Sequence, residues 1–447
     1  MHTAPSVTVT APPSKSLSHR ALIAAALADG ESRIENVLAS DDIERTRDCL
    51  AVAGARFERQ GSGYAVRGVA GVPTGGSEQA VLIDVGESGT TCRLLTAVLA
   101  AGRGLFQIQG QGRMHDRPIG ELTRVLEGFG STVRHLGKAG CPPITLIASG
   151  LPGGRASISM GESSQYLSGL LLAAPLAAQD SLFEIGGGRA VSWPYVALTL
   201  DVMRDFGIDF AVERREGGAW REIDFREPAE VVPGAVRFKV RPGAYAARTY
   251  RVEGDWSNAS YLLAAGALGR AAVSVEGLRR DSLQGDRAVA DILAAMGARV
   301  DFCREGAGDV VTVYPGELHG LDVDMGHCPD LVPTVAVLAA RARGVTRITN
   351  VAHLRLKESD RLAAMAGEIA KTGAAVDVLP EGLRIEGAAT PRSGTIEFAT
   401  YGDHRIPMSL SLFELAGIRP IFDNPACVAK SFPGFWEQWR RIAPATE

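Results

Sequence analysis

Gly54-Ala55-Arg56-Phe57 is the first of five similar stretches that decide the fold of this 447-residue chain. In each stretch a helix-like apolar segment ends in Gly, and a Val or Phe three residues later opens a strand. The other four are Gly130-Ser131-Thr132-Val133, Gly207-Ile208-Asp209-Phe210, Gly297-Ala298-Arg299-Val300 and Gly373-Ala374-Ala375-Val376. Each Gly suits the residue after a helix end, where φ is positive, and the alternation that follows predicts a strand.

The intervals between these glycines are 76, 77, 90 and 76 residues, which indicates a repeated unit. Each unit reads as strand, helix, strand, helix, strand, strand, and the alternative is chance spacing of a common helix-to-strand motif. We expect two domains of three units, one at residues 14–251 and one made of 1–13 plus 252–447. The crossover should lie near Tyr250–Asp255. The final helix, Phe435–Ile442, has no hairpin after it, and the extended segment Val7–Ala11 could supply a missing strand.

Composition narrows the classes of function. The net charge is -4 and the isoelectric point is about 6.1, which argues against a nucleic-acid-binding protein. The six cysteines form no C-x-x-C motif, so reduced thiols in a cytoplasmic protein are expected. The apolar run Leu167–Ala178 is too short to span a bilayer, and Met1–Thr10 lacks the character of a secretory signal. We expect no membrane partner.

Seven cations nevertheless lie in short polar motifs spread along the chain. They are Lys15, Arg20, Arg113, Lys357, Arg361, Arg405 and Lys430. Lys supplies a point charge and Arg a bidentate fork, so cations in such motifs favour a cleft for small polyanions. A phosphorylated or carboxylated metabolite is the expected ligand.

Several of these motifs precede predicted helices, whose free N–H groups attract anions. They include Pro12–Arg20, Gly86–Arg93, Glu162–Gln165 and Lys357–Arg361. Taken singly, each could be an ordinary capped helix or a solvated charge pattern. Their joint presence favours the polyanion site.

The chain resembles the 5-enolpyruvylshikimate-3-phosphate (EPSP) synthase family from about Pro12 to Pro433. Seven motifs carry the resemblance, in the family's order: Ser14–Arg20, Ser88–Arg93, Arg113–Pro118, Ser163–Gln165, Lys357–Arg361, Asp403–Arg405 and Lys430–Pro433. The resemblance implies an α/β (α+β) fold, a two-domain inverted α/β barrel with three βαβαββ units per domain. It places the active site in the interdomain cleft, with shikimate 3-phosphate on the 14–251 side.

The implied activity is transfer of the enolpyruvyl group of phosphoenolpyruvate to the 5-hydroxyl of shikimate 3-phosphate, with release of phosphate. The resemblance implies no metal or organic cofactor, and we expect a monomer. Shikimate 3-phosphate would contact Lys15, Ser16, Arg20, Ser163, Ser164, Gln165, Ser192, Tyr195, Asp330 and Lys357. Phosphoenolpyruvate would contact Lys15, Gly89, Arg113, Gln165, Arg361, Arg405 and Lys430. Asp330, Glu358 and Lys15 would be catalytic.

Three residues depart from the commonest family pattern. Glu87 stands where many members have Asn, His353 where some have Asn, and Trp193 where a Lys occurs elsewhere. A carboxylate at Glu87 would repel phosphoenolpyruvate unless Arg93 or Arg113 pairs with it. Two alternatives remain: a UDP-N-acetylglucosamine enolpyruvyl transferase, whose reactive Pro-Gly-Cys loop we do not find, and a non-catalytic protein that binds anionic metabolites on the same fold.

Overall fold

The chain separates into two compact units. In a computed structural model, the structure describes residues 6–226, 231–305, 308–388, 390 and 392–443. The N-terminal unit is Lys15–Val252, and the C-terminal unit is Met1–Ser14 plus Glu253–Glu447. In the part of the chain that is described, none of the helices has both the length and the apolar character needed to cross a bilayer.

The first strand, β1 (Ser6–Thr10), belongs to the C-terminal unit, and the N-terminal unit follows it in three repeats. The first contains α1 (Lys15–Leu27), β2 (Glu31–Glu35), α2 (Asp41–Val52), β3 (Arg56–Gln60) and β4 (Gly63–Arg67). The second contains β5 (Val81–Asp84), α3 (Gly89–Ala100), β6 (Arg103–Gln109), α4 (Gly120–Gly128), β7 (Thr132–His135) and β8 (Ile144–Ser149). The third contains β9 (Gly154–Met160), α5 (Gln165–Ala173), β10 (Ser181–Ala190), α6 (Trp193–Asp205), β11 (Phe210–Glu216), β12 (Ala219–Glu222) and β13 (Val236–Val240). Strand β14 (Thr249–Arg251) closes the unit.

The C-terminal unit repeats the same order of elements. Its first repeat contains α7 (Trp256–Leu268), β15 (Ala272–Leu278), α8 (Val289–Ala295), β16 (Arg299–Glu305) and β17 (Gly308–Tyr314). The second contains β18 (Asp322–Asp324), α9 (Val332–Arg341), β19 (Val345–Thr349), α10 (Arg361–Ala370), β20 (Ala375–Leu379) and β21 (Gly382–Glu386). The third contains β22 (Gly394–Phe398), α11 (Arg405–Leu410), β23 (Ile418–Phe422) and α12 (Phe435–Ile442). Short 3-10 helices punctuate the chain, among them Gly112–Asp116, Gly285–Ala288, Pro329–Leu331, Ala352–Leu356 and Pro425–Lys430.

Four sheets share one strand order, which is β14-β2-β4-β3, β5-β6-β8-β7, β1-β15-β17-β16 and β18-β19-β21-β20. In each, the first two strands are parallel and the others antiparallel. A parallel pair needs a crossover. The first helix of the repeat supplies it between β5 and β6 and between β18 and β19, whereas β14 and β1 pair with strands that are distant in sequence. The expected mixed α/β fold of repeated βαβαββ units is therefore confirmed for these four repeats.

The two remaining sheets differ from this pattern. The third repeat of the N-terminal unit has five strands in the order β9-β10-β13-β11-β12, because β12 is added outside β11. The last repeat has only the parallel pair β22-β23, with no hairpin after α12 among the described residues. This agrees with the expectation that no hairpin follows the final helix.

The five glycines of the repeated pattern behave as expected. Their φ values are +116° at Gly54, +93° at Gly130, +82° at Gly207, +108° at Gly297 and +94° at Gly373. Residues with a β-carbon rarely adopt this conformation, so Gly is what lets each second helix turn into its strand.

The first helix of each complete repeat is buried on nearly every side. In α7, for example, all residues from Trp256 to Ala267 are buried, and α9 is buried from Val332 to Ala340. Small residues dominate these helices, so strands and neighbouring helices can pack closely around them. Helix α4, a second helix, instead buries one face, through Leu122, Val125 and Leu126.

Strands β1 and β14 each complete a repeat that lies elsewhere in the sequence. Strand β14 pairs in parallel with β2, and Ser6 of β1 pairs with Ala272 of β15. The extended segment near the N-terminus was expected to supply a missing strand, and the unit that lacked one is the repeat that begins with α7. The reason is that β14, directly before α7, is already paired with β2.

Gln284 fastens the two chain segments that enter the C-terminal unit. Its amide nitrogen donates to Glu253 Oε1 at 2.7 Å and to the Gly254 carbonyl at 2.8 Å. Its amide oxygen accepts from Ser14 Oγ at 3.2 Å and from the Trp256 N–H at 3.1 Å. Both polar atoms of this buried side chain are therefore satisfied, as burial requires.

Candidate active site

A buried arginine organises three acidic side chains in the C-terminal unit. Arg361, the first residue of α10, is 1% exposed and donates to Asp330 and to Glu358 at 2.8 Å each. Its Nε donates to Asp403 Oδ2 at 2.8 Å. The planar guanidinium can satisfy several carboxylates at once, which an ammonium group of Lys cannot match.

Arg405 lies on the other side of Asp330. Its Nη2 donates to Asp330 Oδ2 at 2.7 Å, and its Nη1 to the Tyr261 hydroxyl at 3.2 Å. Asp403 accepts a hydrogen bond from the backbone N–H of Arg405 at 3.0 Å. Asp330 therefore has one oxygen on Arg361 and the other on Arg405.

These contacts fix the protonation state of Asp330. Burial alone would raise the pKa of this carboxyl, but Arg405, Lys357 and Arg361 hold it well below its ordinary value. In this arrangement Asp330 is ionised at neutral pH and is a weak base.

The neighbouring carboxyl of Asp286 has the opposite character. Burial, with the charge of Asp330, raises the pKa of Asp286 to about 7. The Ser257 hydroxyl donates to it in a short contact. Two nearby carboxyls with pKa values driven apart are typical of acid–base sites.

The remaining expected residues of this unit lie on segments beside the cluster. Lys357 and Glu358 connect the 3-10 helix Ala352–Leu356 to α10, and Lys430 ends the 3-10 helix Pro425–Lys430, where it is 8% exposed. Asp330 lies in the turn before α9. Short turns that lead into helices thus carry most of the expected site residues of the C-terminal unit.

In the N-terminal unit, α1 carries three expected site residues. Lys15 begins the helix and pairs with Asp42 of α2 at 3.1 Å. Ser16 follows, and its carbonyl accepts from Arg20 Nη1 at 2.8 Å. Helix α1 therefore places Lys15, Ser16 and Arg20 along one run of two turns.

Arg20 is a buried cation among neutral groups. Its exposure is 1%, and it donates to Thr199 Oγ1 at 2.8 Å and to the Tyr195 carbonyl at 3.0 Å. Within the described residues no carboxylate lies within ion-pair distance of it, and burial lowers the pKa of its guanidinium to about 10. A charge desolvated in this way is costly unless an anion joins it.

The N-terminus of α5 holds an expected amide and two hydroxyls. The Gln165 side chain donates to Thr90 Oγ1 at 2.9 Å and accepts from Arg93 Nη1 at 3.0 Å. Ser163 Oγ accepts from the Gln165 N–H at 3.2 Å, and Ser164 is the residue before the helix. Gln165 thereby joins the start of α5 to α3, the helix that Gly89 begins.

Gly89 lies directly against the guanidinium of Arg117. A β-carbon at this position would lie 2.4 to 2.6 Å from the Arg117 guanidinium, which is far inside van der Waals contact. Arg117 Nη1 donates to the Glu87 carbonyl at 3.3 Å. The cation therefore lies directly over the first residue of α3.

The other expected residues of this unit lie in two further segments. Ser192 precedes α6 with φ of +60°, an uncommon conformation for a residue with a side chain, and Tyr195 lies in the first turn of that helix. Arg113 is exposed in the 3-10 helix Gly112–Asp116. The Glu87 carboxylate lies beside Gly112, since a β-carbon there would be 2.7 Å from Glu87 Oε1.

The sequence interpretation missed three polar residues at these sites. Asp403 was quoted only as part of a motif, yet it accepts from both Arg361 and Ser359. Asp286 and His19 were not singled out. His19 had a signal, because it stands between Lys15 and Arg20 in a quoted motif, whereas nothing near Asp286 in sequence predicted its burial beside Asp330.

The model of the EPSP synthase (3-phosphoshikimate 1-carboxyvinyltransferase) family matches residues 3–222 and 224–439. This chain belongs to that family, and its expected assignment is confirmed.

Individual relatives agree with the family assignment. The 3-phosphoshikimate 1-carboxyvinyltransferase of Thiobacillus denitrificans is 40% identical over 445 residues, which cover 98% of this chain and 96% of that protein. The protein of the same name from Shewanella loihica is 37% identical over 438 residues, with coverage of 98% and 96%.

Solved structures show the same fold. An EPSP synthase from Acinetobacter baumannii is similar with a TM-score of 0.73 and 25% identity, covering 99% of this chain and 97% of that one. The enolpyruvyl transferase NikO from Streptomyces tendae has a TM-score of 0.70 at 20% identity, covering 99% and 95%, and shares the fold.

Proposed function

We propose that this chain transfers the enolpyruvyl group of phosphoenolpyruvate to the 5-hydroxyl of shikimate 3-phosphate and releases phosphate. The observation that carries the proposal is the double pairing of Asp330 with Arg361 and Arg405. Two buried guanidinium groups around one carboxylate form a site that a second carboxylate can enter by exchange. Phosphoenolpyruvate supplies such a carboxylate.

Exchange of partners explains how Asp330 can act as a base. When the carboxylate of phosphoenolpyruvate binds Arg361 and Arg405, Asp330 loses part of the positive charge that depresses its pKa. It can then accept the proton of the 5-hydroxyl as the oxygen attacks C2 of phosphoenolpyruvate. Glu358, freed from the same Arg361, is the proton donor to the methylene carbon.

Elimination completes the balance of atoms and charge. The tetrahedral adduct loses a proton from the new methyl group to Glu358, the bond from C2 to the phosphate oxygen breaks, and the C2–C3 double bond forms again. The departing phosphate takes the electron pair of that bond and the proton that Asp330 removed from the 5-hydroxyl, so Asp330 returns to its carboxylate form. Lys15 can stabilise the negative charge on phosphate once phosphate competes with Asp42. No redox change occurs in these steps.

Shikimate 3-phosphate binding rests on the N-terminal unit. Arg20, desolvated without a carboxylate partner, would gain an anion, and the hydroxyls and amide at Ser163, Ser164 and Gln165 would donate at the start of α5. Ser16, Ser192 and Tyr195 lie on the same α1 and α6 segments as Arg20 and its partners. Asp330 and Lys357 complete this set from the C-terminal unit.

Phosphoenolpyruvate would bind residues of both units. Arg361, Arg405 and Lys430 belong to the C-terminal unit, and Lys15, Gly89, Arg113 and Gln165 belong to the N-terminal unit. Two substrates that each carry phosphate and carboxylate charge repel one another, so cations must offset the repulsion. Turnover should therefore require both units.

A phosphate-release assay tests the proposed reaction. Purified protein is incubated with phosphoenolpyruvate and either shikimate 3-phosphate, UDP-N-acetylglucosamine or no acceptor. Release with shikimate 3-phosphate alone is the expected result. Release with only the UDP-sugar, or with neither acceptor, would exclude the proposal.

We further propose that the protein acts in the cytoplasm as a monomer. The six cysteines are free thiols, as a reducing compartment favours. Light scattering coupled to gel filtration should then give a mass near 47.1 kDa. A mass near twice that value would indicate a dimer and contradict the proposed monomer.

A further inference from the structure

A chain of four buried polar side chains links α1, α2 and α3. His19 Nδ1 lies 2.7 Å from Thr46 Oγ1, Thr46 Oγ1 lies 2.7 Å from Thr91 Oγ1, and Thr91 Oγ1 lies 2.7 Å from Ser88 Oγ. Each of the four residues has 0% exposure. None belongs to the residues assigned to either substrate.

The ends of this chain lie beside proposed substrate-binding residues. His19 stands directly before Arg20 on α1, the helix that Lys15 begins. Ser88 caps α3, because its hydroxyl oxygen accepts from the Thr91 N–H at 3.3 Å, and Gly89 is the next residue. The chain therefore spans the distance between α1 and the N-terminus of α3.

The unpaired nitrogen of His19 determines where the ring proton lies. His19 Nε2 is buried and has no hydrogen-bond partner among the described residues. Burial, with the charges of Lys15 and Arg20, lowers the pKa of His19 well below its ordinary value, so the ring is neutral. A buried donor left without an acceptor is rarer than a buried unpaired acceptor, which places the single proton on Nδ1.

A proton on Nδ1 gives the chain one direction. His19 donates to Thr46. Thr91 donates its one hydroxyl proton to Ser88 at 2.7 Å, which is closer than the Asp42 carbonyl at 3.3 Å. In the 2.7 Å contact between the two threonines, Thr46 is therefore the donor and Thr91 the acceptor. Ser88 then accepts from both the hydroxyl and the N–H of Thr91, which fixes the cap of α3 in one rotamer.

We propose that Thr46 is a positioning residue that holds the N-terminus of α3, and with it Gly89, in the place where phosphoenolpyruvate binds. This inference rests on the proposed function of Gly89. The Thr46 hydroxyl accepts a hydrogen bond from His19 of α1 and donates one to Thr91 of α3. Loss of this hydroxyl therefore breaks the hydrogen-bonded link between the two helices. Arg20 keeps its own partners, Thr199 and the Tyr195 carbonyl, so shikimate 3-phosphate binding should not depend on Thr46.

The test compares Thr46→Val with Thr46→Ser and Thr96→Val. Val keeps the shape of Thr and removes the hydroxyl, whereas Ser restores it. Thr96 is the matched control, since it is also buried and lies on α3, and among the described residues its hydroxyl donates within the helix, to the Cys92 carbonyl at 2.7 Å. We measure kcat and both KM values by phosphate release.

For Thr46→Val we expect KM for phosphoenolpyruvate to rise at least ~5-fold, with kcat and KM for shikimate 3-phosphate within about twofold of wild type. Thr46→Ser and Thr96→Val should stay within about twofold in all three constants. Equal shifts in both KM values, or the same shift in Thr96→Val, would overturn the proposal.

Nitrogen NMR of the His19 ring gives a readout independent of turnover. The wild type should show a neutral ring protonated at Nδ1, and Thr46→Val should shift that Nδ1 signal. A proton on Nε2 in the wild type would overturn the proposed direction of the chain. Wild-type protein that releases no phosphate would instead reject the proposed function, and the NMR result would still decide the network.

Discussion

Arg361 and Asp330 form a 2.8 Å ion pair in which the guanidinium is 1% exposed and the carboxylate 16% exposed. The same guanidinium also contacts Glu358 and Asp403. One guanidinium therefore contacts three carboxylates, of which Asp330 also pairs with Arg405, and the geometry of each acidic group depends on Arg361.

Arg361→Lys should reduce both turnover and stability. A Lys ammonium cannot reach three carboxylates in the plane of a guanidinium, so at least one is left poorly paired. We expect kcat to fall at least ~10²-fold and the free energy of unfolding to fall by about 2–3 kcal/mol. Steady-state kinetics and urea unfolding measure the two effects.

Arg384→Lys is the control for this variant. Arg384 also contacts two carboxylates, Asp377 and Glu386, but on the exposed surface of a hairpin. It should leave turnover and the unfolding midpoint unchanged, as surface pairs usually do. An Arg361→Lys protein with wild-type turnover would remove Arg361 from the site.

Glu358→Gln should separate binding from chemistry. Gln keeps the size of the side chain and a hydrogen bond to Arg361 but cannot deliver a proton in the same way. We expect kcat to fall at least ~10²-fold while the affinity for shikimate 3-phosphate changes by less than about threefold. Calorimetric titration gives the affinity.

Glu368→Gln provides a comparison for Glu358→Gln. Glu368 is 2% exposed and pairs with Lys371 and the Tyr401 hydroxyl, away from the residues assigned to substrate. Its kcat should remain near wild type. If both variants lose activity equally, the effect of Glu358→Gln is a general effect of removing a buried charge.

Arg20→Met should weaken substrate binding without lowering stability. Met fills much of the same volume and removes a charge that is buried without a carboxylate partner, so the unfolding midpoint should stay the same or rise. Affinity for shikimate 3-phosphate should fall at least ~10²-fold, because a charge-assisted contact is lost. Thermal unfolding and calorimetry test both parts.

Arg237→Met is expected to behave in the opposite way. Arg237 is 16% exposed and bonds to Glu213, so its removal costs an existing ion pair. Its unfolding midpoint should drop while affinity for shikimate 3-phosphate is unchanged. An Arg20→Met protein that unfolds earlier than Arg237→Met yet binds normally would contradict the assignment of Arg20.

Asp286→Asn should change how stability depends on pH. The pKa of Asp286 is raised to about 7 from an ordinary value of 3.8, so the folded state holds the proton more tightly than the unfolded state. The stabilising contribution is complete below pH 4 and is lost as pH rises through 7. Asn copies the neutral carboxyl, so the variant should gain on the order of 2–3 kcal/mol relative to wild type between pH 5 and pH 8.

Urea unfolding at four pH values across this range measures the difference. Asp281→Asn serves as the comparison, since a hydrogen bond from Arg279 lowers the pKa of that exposed carboxyl. It should show no gain as pH rises. A constant difference between Asp286→Asn and wild type would mean that Asp286 is ionised throughout.

The repeat could be predicted from sequence because its signals are local. A Gly such as Gly297 ends a helix whatever lies around it, and the alternation after it marks a strand. The insertion of β13 between β10 and β11, which leaves β12 at the sheet edge, and the partner of β1 could not be predicted in the same way. Both depend on which sheet edge is free, which is a property of the folded unit.

The candidate site shows the same difference between what sequence signals predict and what tertiary packing decides. Cations such as Arg20 and Arg361 could be singled out because charge in a Ser-, Gly- or Asp-containing motif is visible in sequence. The residues that pair with these cations could not be predicted from the sequence. Arg361 contacts three carboxylates, whereas the oxygens that Arg20 contacts among the described residues are all neutral. This difference decides their pKa shifts and their predicted variants. Only tertiary packing creates it.

The exchange of β1 and β14 has a consequence for fragments of the chain. Residues 15–252 contain every strand of their three sheets, whereas residues 253–447 lack β1 and leave the edge of β15 unpaired. An open edge of this kind recruits other strands and promotes aggregation. The first fragment should be soluble by itself, and the second should need a synthetic peptide of the Ser6–Thr10 sequence, supplied in trans, to seal its sheet.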